Sequence, residues 1–175
     1  VQGRMGEGHG GSDPRHWSQD ARTADLLRAM GPVGSDLQAL IDAVPSWTLW
    51  SLHDRPPMSG PQEHARGRVA LLGDAAHPLR PYLAQGAAMA LEDAWTLGQL
   101  IDRHQHPVDW PAVFQRFARS RWERNARVQA RSLRNGRIFH ARGVVRWGRD
   151  AAMNLLGEKL MDNPWLYGGP PLPAE

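Results

Sequence analysis

Cysteine is absent from this 175-residue sequence, and lysine occurs once, at Lys159. The absence of cysteine excludes disulfide bonds, thiolate metal ligands and a cysteine nucleophile, and it fits a reducing compartment. The sequence also lacks any run of about 18 apolar residues and any basic segment that leads into an apolar one, so it predicts neither a membrane span nor a secretory signal. We therefore expect a soluble, cytoplasmic protein with no membrane partner.

Arginine carries nearly all the positive charge, with a net charge of +3 and a sequence pI of about 10.1. Residues 115–149 contain eleven arginines and one acid, Glu123. Arginine stays protonated and pairs with both phosphates and carboxylates. This segment therefore fits three partners: a nucleic acid, an anionic cofactor, or acidic groups of the protein itself.

Hydrophobic periodicity predicts five helices and two strands. The first helix starts at Ser18 and stops at Gly31-Pro32, and a second follows from Leu37 to Val44, before Pro45. Strands are predicted at 47–52 and at Val69–Leu72, the second as an apolar strand buried on both faces. The later helices are predicted at 86–102, from Pro111 to an interruption or end at Asn135-Gly136, and through Leu155, Leu156 and Leu160.

In two of these helices the repeat also predicts which residues face inward. On the helix at 86–102 the apolar residues are Ala90, Ala94, Leu97 and Ile101, and Glu92 and Asp93 lie off that stripe. On the helix that starts near Pro111 the predicted stripe comprises Phe114, Ala118, Trp122, Ala126, Ala130 and Leu133. Five arginines are predicted to project from the opposite side: Arg116, Arg124, Arg127, Arg131 and Arg134.

The most concentrated pattern is GRVALLGDAAHPLRPYLAQGAAMALEDA, which runs from Gly67 to Ala94. Asp74 follows the apolar strand, at the strand end where α/β sheets present their ligands. A carboxylate there can accept hydrogen bonds from two hydroxyls of a ribose or ribitol chain. The alternative is that Asp74 caps a turn or a helix.

The segment between the strand and the following helix contains Pro78 and Pro81, which push the preceding residues toward extended conformations. A helix then opens with Gly86, Ala87 and Ala88, whose small side chains leave its end accessible. Free N–H groups and the helix dipole make such an end an anion site. The alternative is close helix packing through small residues.

Histidine is the remaining candidate for catalysis or metal binding. His77 lies in the prolyl segment, where it is either a catalytic group or a structural hydrogen-bond partner. His104 and His106 have a spacing that suits no standard metal site, and we expect that the eight histidines do not cluster. We expect no metal site.

This 67–94 segment resembles the second flavin-binding motif of the FAD-dependent aromatic hydroxylases related to para-hydroxybenzoate hydroxylase and salicylate hydroxylase. The resemblance extends upstream through LWSLHDRPP (49–57) and downstream through RFARSRWERNARVQARSLRNGRIFH (116–140) and WLY (165–167). It implies a monooxygenase that uses FAD, NADH or NADPH, and O2 to hydroxylate an aromatic acid such as a salicylate or hydroxybenzoate. A homodimer is a further expectation, and a nucleic-acid partner is not expected.

Carried over by position, the resemblance implies that Asp74 binds ribitol or ribose hydroxyls and that Gly86 and Ala87 offer N–H groups to the flavin or its diphosphate. Pro81 is expected beside the reacting face of the flavin, and Arg80 is a candidate for binding substrate. The implied cofactor-binding set is Gly73, Asp74, Pro81, Ala84, Gln85, Gly86, Ala87 and Ala88.

The implied fold class is α/β: the C-terminal part of a two-domain FAD-binding monooxygenase fold of the glutathione-reductase type, mostly helical with a few short strands. The expected divisions are a glycine-rich connecting segment (1–16), substrate-domain helices and a strand (17–61), the FAD-binding strand, loop and helix (62–104), a C-terminal helical region (105–168) and a proline-rich tail (169–175).

The sequence departs from this family pattern in several places. No strand-GxGxxG-helix segment for the ADP half of FAD is present, because GRMGEGHGG lacks both flanking elements, and the family's middle arginine-containing segment is missing too. Arg80 stands where relatives usually have an apolar residue, and His64 where tryptophan is common. We therefore expect an N-terminally truncated hydroxylase that holds FAD weakly. An inactive fragment and an arginine-rich nucleic-acid-binding module are the alternatives.

Overall fold

A computed structural model describes residues 18–50, 52–103, 107–157 and 163–169. Residues 1–17, the His104–His106 pair, Leu160 and the end of the proline-rich tail lie outside these ranges, so the predictions made for them are not addressed. The chain divides into two compact units between Leu52 and His53. The described helices and strands are β1 Ser18–Ala21, α1 Thr23–Met30, α2 Ser35–Ala43, β2 Trp47–Trp50, β3 Ala65–Arg66, β4 Val69–Ala70, α3 Gly86–Asp102, α4 Trp110–Phe139, α5 Gly143–Leu156 and α6 Pro164–Tyr167.

The first unit contains an antiparallel strand pair and two short helices. Strand β1 pairs with β2, with Ser18 opposite Trp50 and Ala21 opposite Trp47. The predicted helical start at Ser18 was therefore wrong, since these residues pair with a strand far along the chain and α1 begins only at Thr23. Helix α2 and strand β2 lie where the periodicity predicts them.

The second unit is built around two long helices. Helix α3 has the predicted bounds, Gly86–Asp102. Helix α4 begins at Trp110, where the Asp109 carboxylate accepts a hydrogen bond from the Ala112 amide at 3.2 Å and Pro111 occupies the first turn. It continues without interruption to Phe139, so the predicted break at Asn135-Gly136 was wrong.

The strand before α3 is shorter and more exposed than predicted. Only Val69 and Ala70 are in strand conformation, as half of a small antiparallel hairpin with β3, and Val69 is 63% exposed. A strand buried on both faces needs a layer packed on each side. The described residues provide only β3 as a hydrogen-bonding neighbour, so the prediction of a fully buried strand was wrong for this chain.

Apolar packing of α3 against α4, with Leu166 of α6 added to one group, forms two small clusters. Met89, Val128 and Leu166 make one, and Leu100, Val113 and Phe117 the other. The buried residues of α3 are Met89, Asp93, Thr96 and Leu100, one position N-terminal to the predicted stripe. None of the described helices combines the length and the apolar character needed to cross a bilayer.

The buried face of α4 is more polar than the sequence predicted. Of the proposed apolar stripe, only Ala118 is buried. The buried polar residues are Arg121, Asn125, Gln129, Ser132 and Asn135. The prediction failed because it considered only apolar residues for the inner face and assigned no position to Arg121, which turns inward to a buried carboxylate.

Candidate functional site

The strand-to-helix crossing begins with a tight turn at Gly73–Ala75. Gly73 has φ +54°, and a Cβ added to it would lie 3.1 Å from the Cβ of Ala90 on α3. Its amide donates a hydrogen bond to the Asp93 carboxylate at 3.1 Å. Both the left-handed backbone and the close approach require glycine here, so Gly73 fixes the turn against α3.

Asp74, the next residue, is exposed, and no hydrogen bond or ion pair reaches its carboxylate from the part of the chain that the structure describes. It lies at the beginning of α3, since a Cβ built on Gly86 would be 3.9 Å from the Asp74 Oδ1 atom. The two features that the sequence predicted separately, a carboxylate and a helix N-terminus, are therefore adjacent in space.

The first turn of α3 is open. Gln85 occupies the N-cap position, and its side chain makes no capping hydrogen bond. The first amides of a helix have no intrahelical acceptor, so those of Gly86 and Ala87 remain available to a ligand. Ala84, directly before the cap, has φ 52°, a conformation that costs a residue with a side chain about 1 kcal/mol or more. Such strain is often found at ligand sites.

These groups fit half of an FAD site. An unpartnered carboxylate can accept hydrogen bonds from sugar hydroxyls, and open amides at a helix start can donate to phosphate or to the N1 and C2 carbonyl edge of a flavin. The fit rests on Asp74, Gly86 and Ala87. Gln85 and Ala88 flank these positions, and Ala84 shapes the approach to them.

Pro81 in the prolyl segment is exposed, and the neighbouring Arg80 side chain already pairs with Asp54. The Arg80 Nε atom donates a hydrogen bond to the Asp54 carboxylate at 2.6 Å, and the arginine side chain remains 39% exposed. A carboxylate substrate at Arg80 would therefore compete with Asp54. Arg80 stays a prediction as a substrate-binding residue.

A buried polar cluster lies beneath the crossing, centred on the fully buried Asp93. Its two oxygens accept hydrogen bonds from the Gly73 amide, His77 Nε2, Arg121 Nε and Asn125 Nδ2, at 2.7 to 3.1 Å. Burial raises the pKa of Asp93, but the hydrogen bonds from His77, Asn125 and Arg121 outweigh it and hold the pKa well below its usual range. His77 is 1% exposed, so this geometry fits its structural alternative.

His64 completes the cluster and has few partners. It is fully buried, its ring centroid is 4.7 Å from that of Phe117, and neither ring nitrogen has a hydrogen-bond partner among the described residues. Burial lowers its pKa to about 4, against an opposing contribution from Asp93. The ring is therefore neutral at physiological pH.

His64 and His77 lie side by side, with ring centroids 6.1 Å apart, so the expectation that the histidines do not cluster was wrong for this pair. Together with Asp93 they have the spacing of a possible metal site. Hydrogen bonds already occupy both Asp93 oxygens, and the buried Arg121 cation lies against the same carboxylate. The arrangement is therefore better suited to hydrogen bonding than to holding a divalent cation.

Two of the α4 arginines bind acidic groups of α3. Arg121 and Arg124 both pair with Glu92, at 2.8 and 2.7 Å. Arg124 also donates to the carbonyls of Trp165 and Leu166, at 3.0 and 2.9 Å. These contacts account for part of the arginine-rich segment through the third of its possible partners, acidic groups of the protein itself.

The sequence reasoning did not find this cluster. Periodicity placed Asp93 off the apolar stripe of α3, and Arg121 received no separate role. One signal was available: Asp93 and Arg121 fall at helix positions whose neighbours at three and four residues include buried apolar residues, Met89 and Phe117 among them. Ionisable residues at such positions predict a buried pair.

The comparisons agree with the geometry. Residues 35–106 match the family model described as an FAD binding domain. The 3-hydroxybenzoate 6-hydroxylase of Polaromonas naphthalenivorans (strain CJ2) is 44% identical over 131 residues, which is 74% of this chain and 32% of that protein. The chain spans about a third of the length of the curated relatives that it matches.

Two solved structures have a similar fold. A salicylate hydroxylase substrate complex matches with a TM-score of 0.70 and 31% identity, over 86% of this chain and 36% of the other. HpxO of Klebsiella pneumoniae, complexed with FAD and uric acid, matches with a TM-score of 0.60 and 26% identity, over 82% and 38% of the two chains. The expected fold class, a part of an FAD-binding monooxygenase with few short strands, is confirmed.

Proposed function

This chain is related to the FAD-dependent aromatic hydroxylases, and we propose that it supplies the ribitol-binding and flavin-facing part of such an enzyme's FAD site. The observation that carries the proposal is the adjacency of Asp74 and Gly86. A Cβ built on Gly86 would lie 3.9 Å from the Asp74 Oδ1 atom, and the Asp74 carboxylate has no partner among the described residues. This carboxylate and the open helix start offer the acceptor and the donors that a flavin with its ribityl phosphate chain needs.

Each residue has a distinct role in this proposal. Asp74 accepts hydrogen bonds from hydroxyls of the sugar chain. The amides of Gly86 and Ala87 donate to the negatively charged edge of the flavin or to its diphosphate, where the helix dipole adds to the stabilisation. Gly86 leaves room for this approach because it has no side chain. Pro81 offers a surface without an N–H group beside the reacting face.

The proposed reaction is hydroxylation of an aromatic acid, in line with the substrates that the relatives' names give. FAD held by Asp74, Gly86 and Ala87 and reduced by NADH or NADPH would supply the two electrons that this reaction with O2 requires. One oxygen atom enters the ring as a hydroxyl group, and the other leaves as water. The protein's part is to orient the flavin and to keep water from it.

FAD titration tests the proposal on the chain itself. Followed by flavin absorbance, the wild-type chain is expected to bind FAD weakly, because it spans only about a third of its relatives. Asp74→Ala should weaken binding about tenfold, as expected when an acceptor of ligand hydroxyls is lost. Asp102→Ala, which removes the same charge at the other end of α3, is the matched control. Equal FAD affinity of the two variants would contradict the role of Asp74.

Gly86→Val tests the close approach separately. The structure leaves ordinary van der Waals space at Gly86, so the fold should tolerate the side chain while flavin binding is lost. Gly98→Val is the control, since Gly98 also lies in α3 with no atom within 4 Å of an added Cβ. If Gly86→Val binds FAD as well as Gly98→Val does, the ligand does not approach the start of α3.

A further inference from the structure

One side of α4 follows the prolyl loop, which we define as Pro78–Tyr82. Four α4 and C-cap residues, spaced three, four and four apart, contact it: Gln129, Ser132, Gly136 and His140. This spacing places all four on one face of the helix. The contacts run in the same direction along both segments, from Gln129 at Pro78 to His140 at Tyr82.

The loop needs hydrogen-bond donors from outside. Pro78 and Pro81 have no N–H group, so the loop can make few hydrogen bonds of its own. Gln129 Nε2 donates to the Pro78 carbonyl at 3.1 Å, and Ser132 Oγ donates to the Arg80 carbonyl at 2.8 Å. Both side chains are buried, which makes these bonds the means by which the loop carbonyls are satisfied away from water.

Ser132 acts on the turn that presents Pro81. The Arg80 carbonyl also accepts a hydrogen bond from the Tyr82 amide at 2.8 Å, which closes a three-residue turn with Pro81 at its centre. The same oxygen therefore bonds both to the turn and to α4. Loss of the Ser132 hydroxyl would remove the hydrogen bond that ties the Arg80 carbonyl to the helix.

The hydrogen bonds of Gln129 indicate that its amide nitrogen serves to hold the loop. Its Nε2 atom serves two carbonyls, those of Pro78 and Arg55, whereas its Oε1 atom is buried with no partner in the part of the chain that the structure describes. An unpaired buried oxygen is unfavourable. The side chain is thus arranged for its donors, which hold two separate loop segments.

Tyr82 is held by shape and by a hydrogen bond. A Cβ on Gly136 would lie 2.4 Å from Cε2 of Tyr82, so the ring lies directly on the helix backbone where only glycine fits. The Tyr82 hydroxyl and His140 Nε2 share a hydrogen bond at 2.9 Å. Both ends of the loop are therefore fixed to the same side of α4.

We propose that Gln129, Ser132, Gly136 and His140 are positioning residues that set where Pro81 lies relative to the flavin. The inference rests on the proposed function, because it gives the loop its role beside FAD. It adds a cause for the position of the loop: α4, which starts about 30 residues after Pro81, holds it through backbone carbonyls and one aromatic ring.

Amide hydrogen exchange at Tyr82 tests the proposal in the full 175-residue chain without FAD. Ser132→Ala should make the Tyr82 amide exchange roughly five-fold faster, which corresponds to the loss of a typical net hydrogen bond. Ser120→Ala is the matched control, since its hydroxyl donates to the Phe117 carbonyl within α4 at 2.8 Å and does not reach the loop. Gln129→Met should likewise speed exchange, and Ser132→Thr should restore it.

A second reading uses the visible spectrum of FAD added to each variant. Ser132→Ala should alter the flavin absorption band relative to wild type and Ser120→Ala, and Ser132→Thr should not. Equal Tyr82 exchange in Ser132→Ala and Ser120→Ala would overturn the positioning role. If Ser132→Ala speeds exchange but leaves the bound flavin spectrum unchanged, α4 sets the loop but not the flavin, and the inference fails at that step. A wild-type chain that never perturbs FAD would instead overturn the proposed function, whatever the exchange shows.

Discussion

Two aspartates at the crossing have opposite surroundings. Asp74 is exposed and takes no hydrogen bond from the described part of the chain, whereas Asp93, seven residues into α3, is fully buried and accepts four. The described residues provide four hydrogen bonds for Asp93 and none for Asp74. This difference separates a carboxylate that stabilises the fold from one that is free for a ligand.

The same comparison applies to the donors. The amide of Gly73 is used inside the protein, by Asp93, while the amides that open α3 at Gly86 face outward without a cap. A buried polar group without a partner is costly, so a buried group whose partners all come from the protein has a structural role. An exposed group beside a strained backbone, with no partner among the described residues, is the better candidate for binding.

Substituting each of the two aspartates in turn by asparagine should produce the largest difference in the free energy of unfolding. Asp93→Asn removes one of the two carboxylates that pair with the buried Arg121 cation, the other being Glu92, and is expected to reduce the free energy of unfolding by about 3 to 5 kcal/mol. Asp74→Asn should change it by no more than about 0.5 kcal/mol. Urea denaturation followed by circular dichroism measures both.

Adding Arg121→Gln to Asp93→Asn is the control for this prediction, because it removes the buried cation that has lost its Asp93 partner and should recover part of the loss. A stability of Asp93→Asn equal to that of Asp74→Asn would show that the buried pair does not hold the two helices together.

Acid should destabilise the buried cluster first. The pKa of His64 is about 4 in the folded protein and near 6.5 when unfolded, so the unfolded state takes up a proton earlier as the pH falls. The contribution of neutral, buried His64 to the free energy of unfolding is therefore complete above about pH 6.5 and is lost toward pH 4. The loss amounts to up to about 3 kcal/mol, at about 1.4 kcal/mol per pKa unit. Denaturation at pH 4 to 8 measures this, and His64→Phe should flatten the curve. An unchanged slope in His64→Phe would remove His64 as its cause.

Two helix glycines extend the comparison between packed and open positions to smaller changes in the free energy of unfolding. Gly136→Ala would force a methyl group into the Tyr82 ring and should cost about 1 to 3 kcal/mol. Gly98→Ala in α3 meets no atom within 4 Å and should stabilise the chain by up to about 1 kcal/mol through helix propensity. Thermal melts of the pair decide this. A neutral Gly136→Ala would mean that the Tyr82 ring moves away freely.

Much of the local structure followed from the sequence. The bounds of α3, the N-terminus of α4 and the strand at 47–50 were predicted, because glycine, proline and apolar periodicity act over a few residues. Asp74 and the helix start at Gly86 were each predicted as candidate ligand groups, but their adjacency is shown only by the structure. The similarity to FAD-binding proteins was also predicted from the 67–94 segment, and the family model described as an FAD binding domain matches residues 35–106.

Other features depend on residues that are far apart in the chain. Strand β1 takes its conformation from a partner some 30 residues away, and Arg121 is buried only because Asp93 lies opposite on another helix. The uninterrupted α4 at Gly136 depends on the Tyr82 ring filling the space of the missing side chain. Periodicity contains no information on such pairings, so these predictions failed.

The unbroken course of α4 limits which insertions the protein can accept. One extra residue between Ser132 and Gly136 would rotate everything beyond it by about 100° and shift it by about 1.5 Å. Tyr82 would then meet a side chain instead of bare backbone, and its hydroxyl would lose His140. Changes of length in this protein should therefore be confined to the connections outside α4, and homologues should keep this stretch free of gaps.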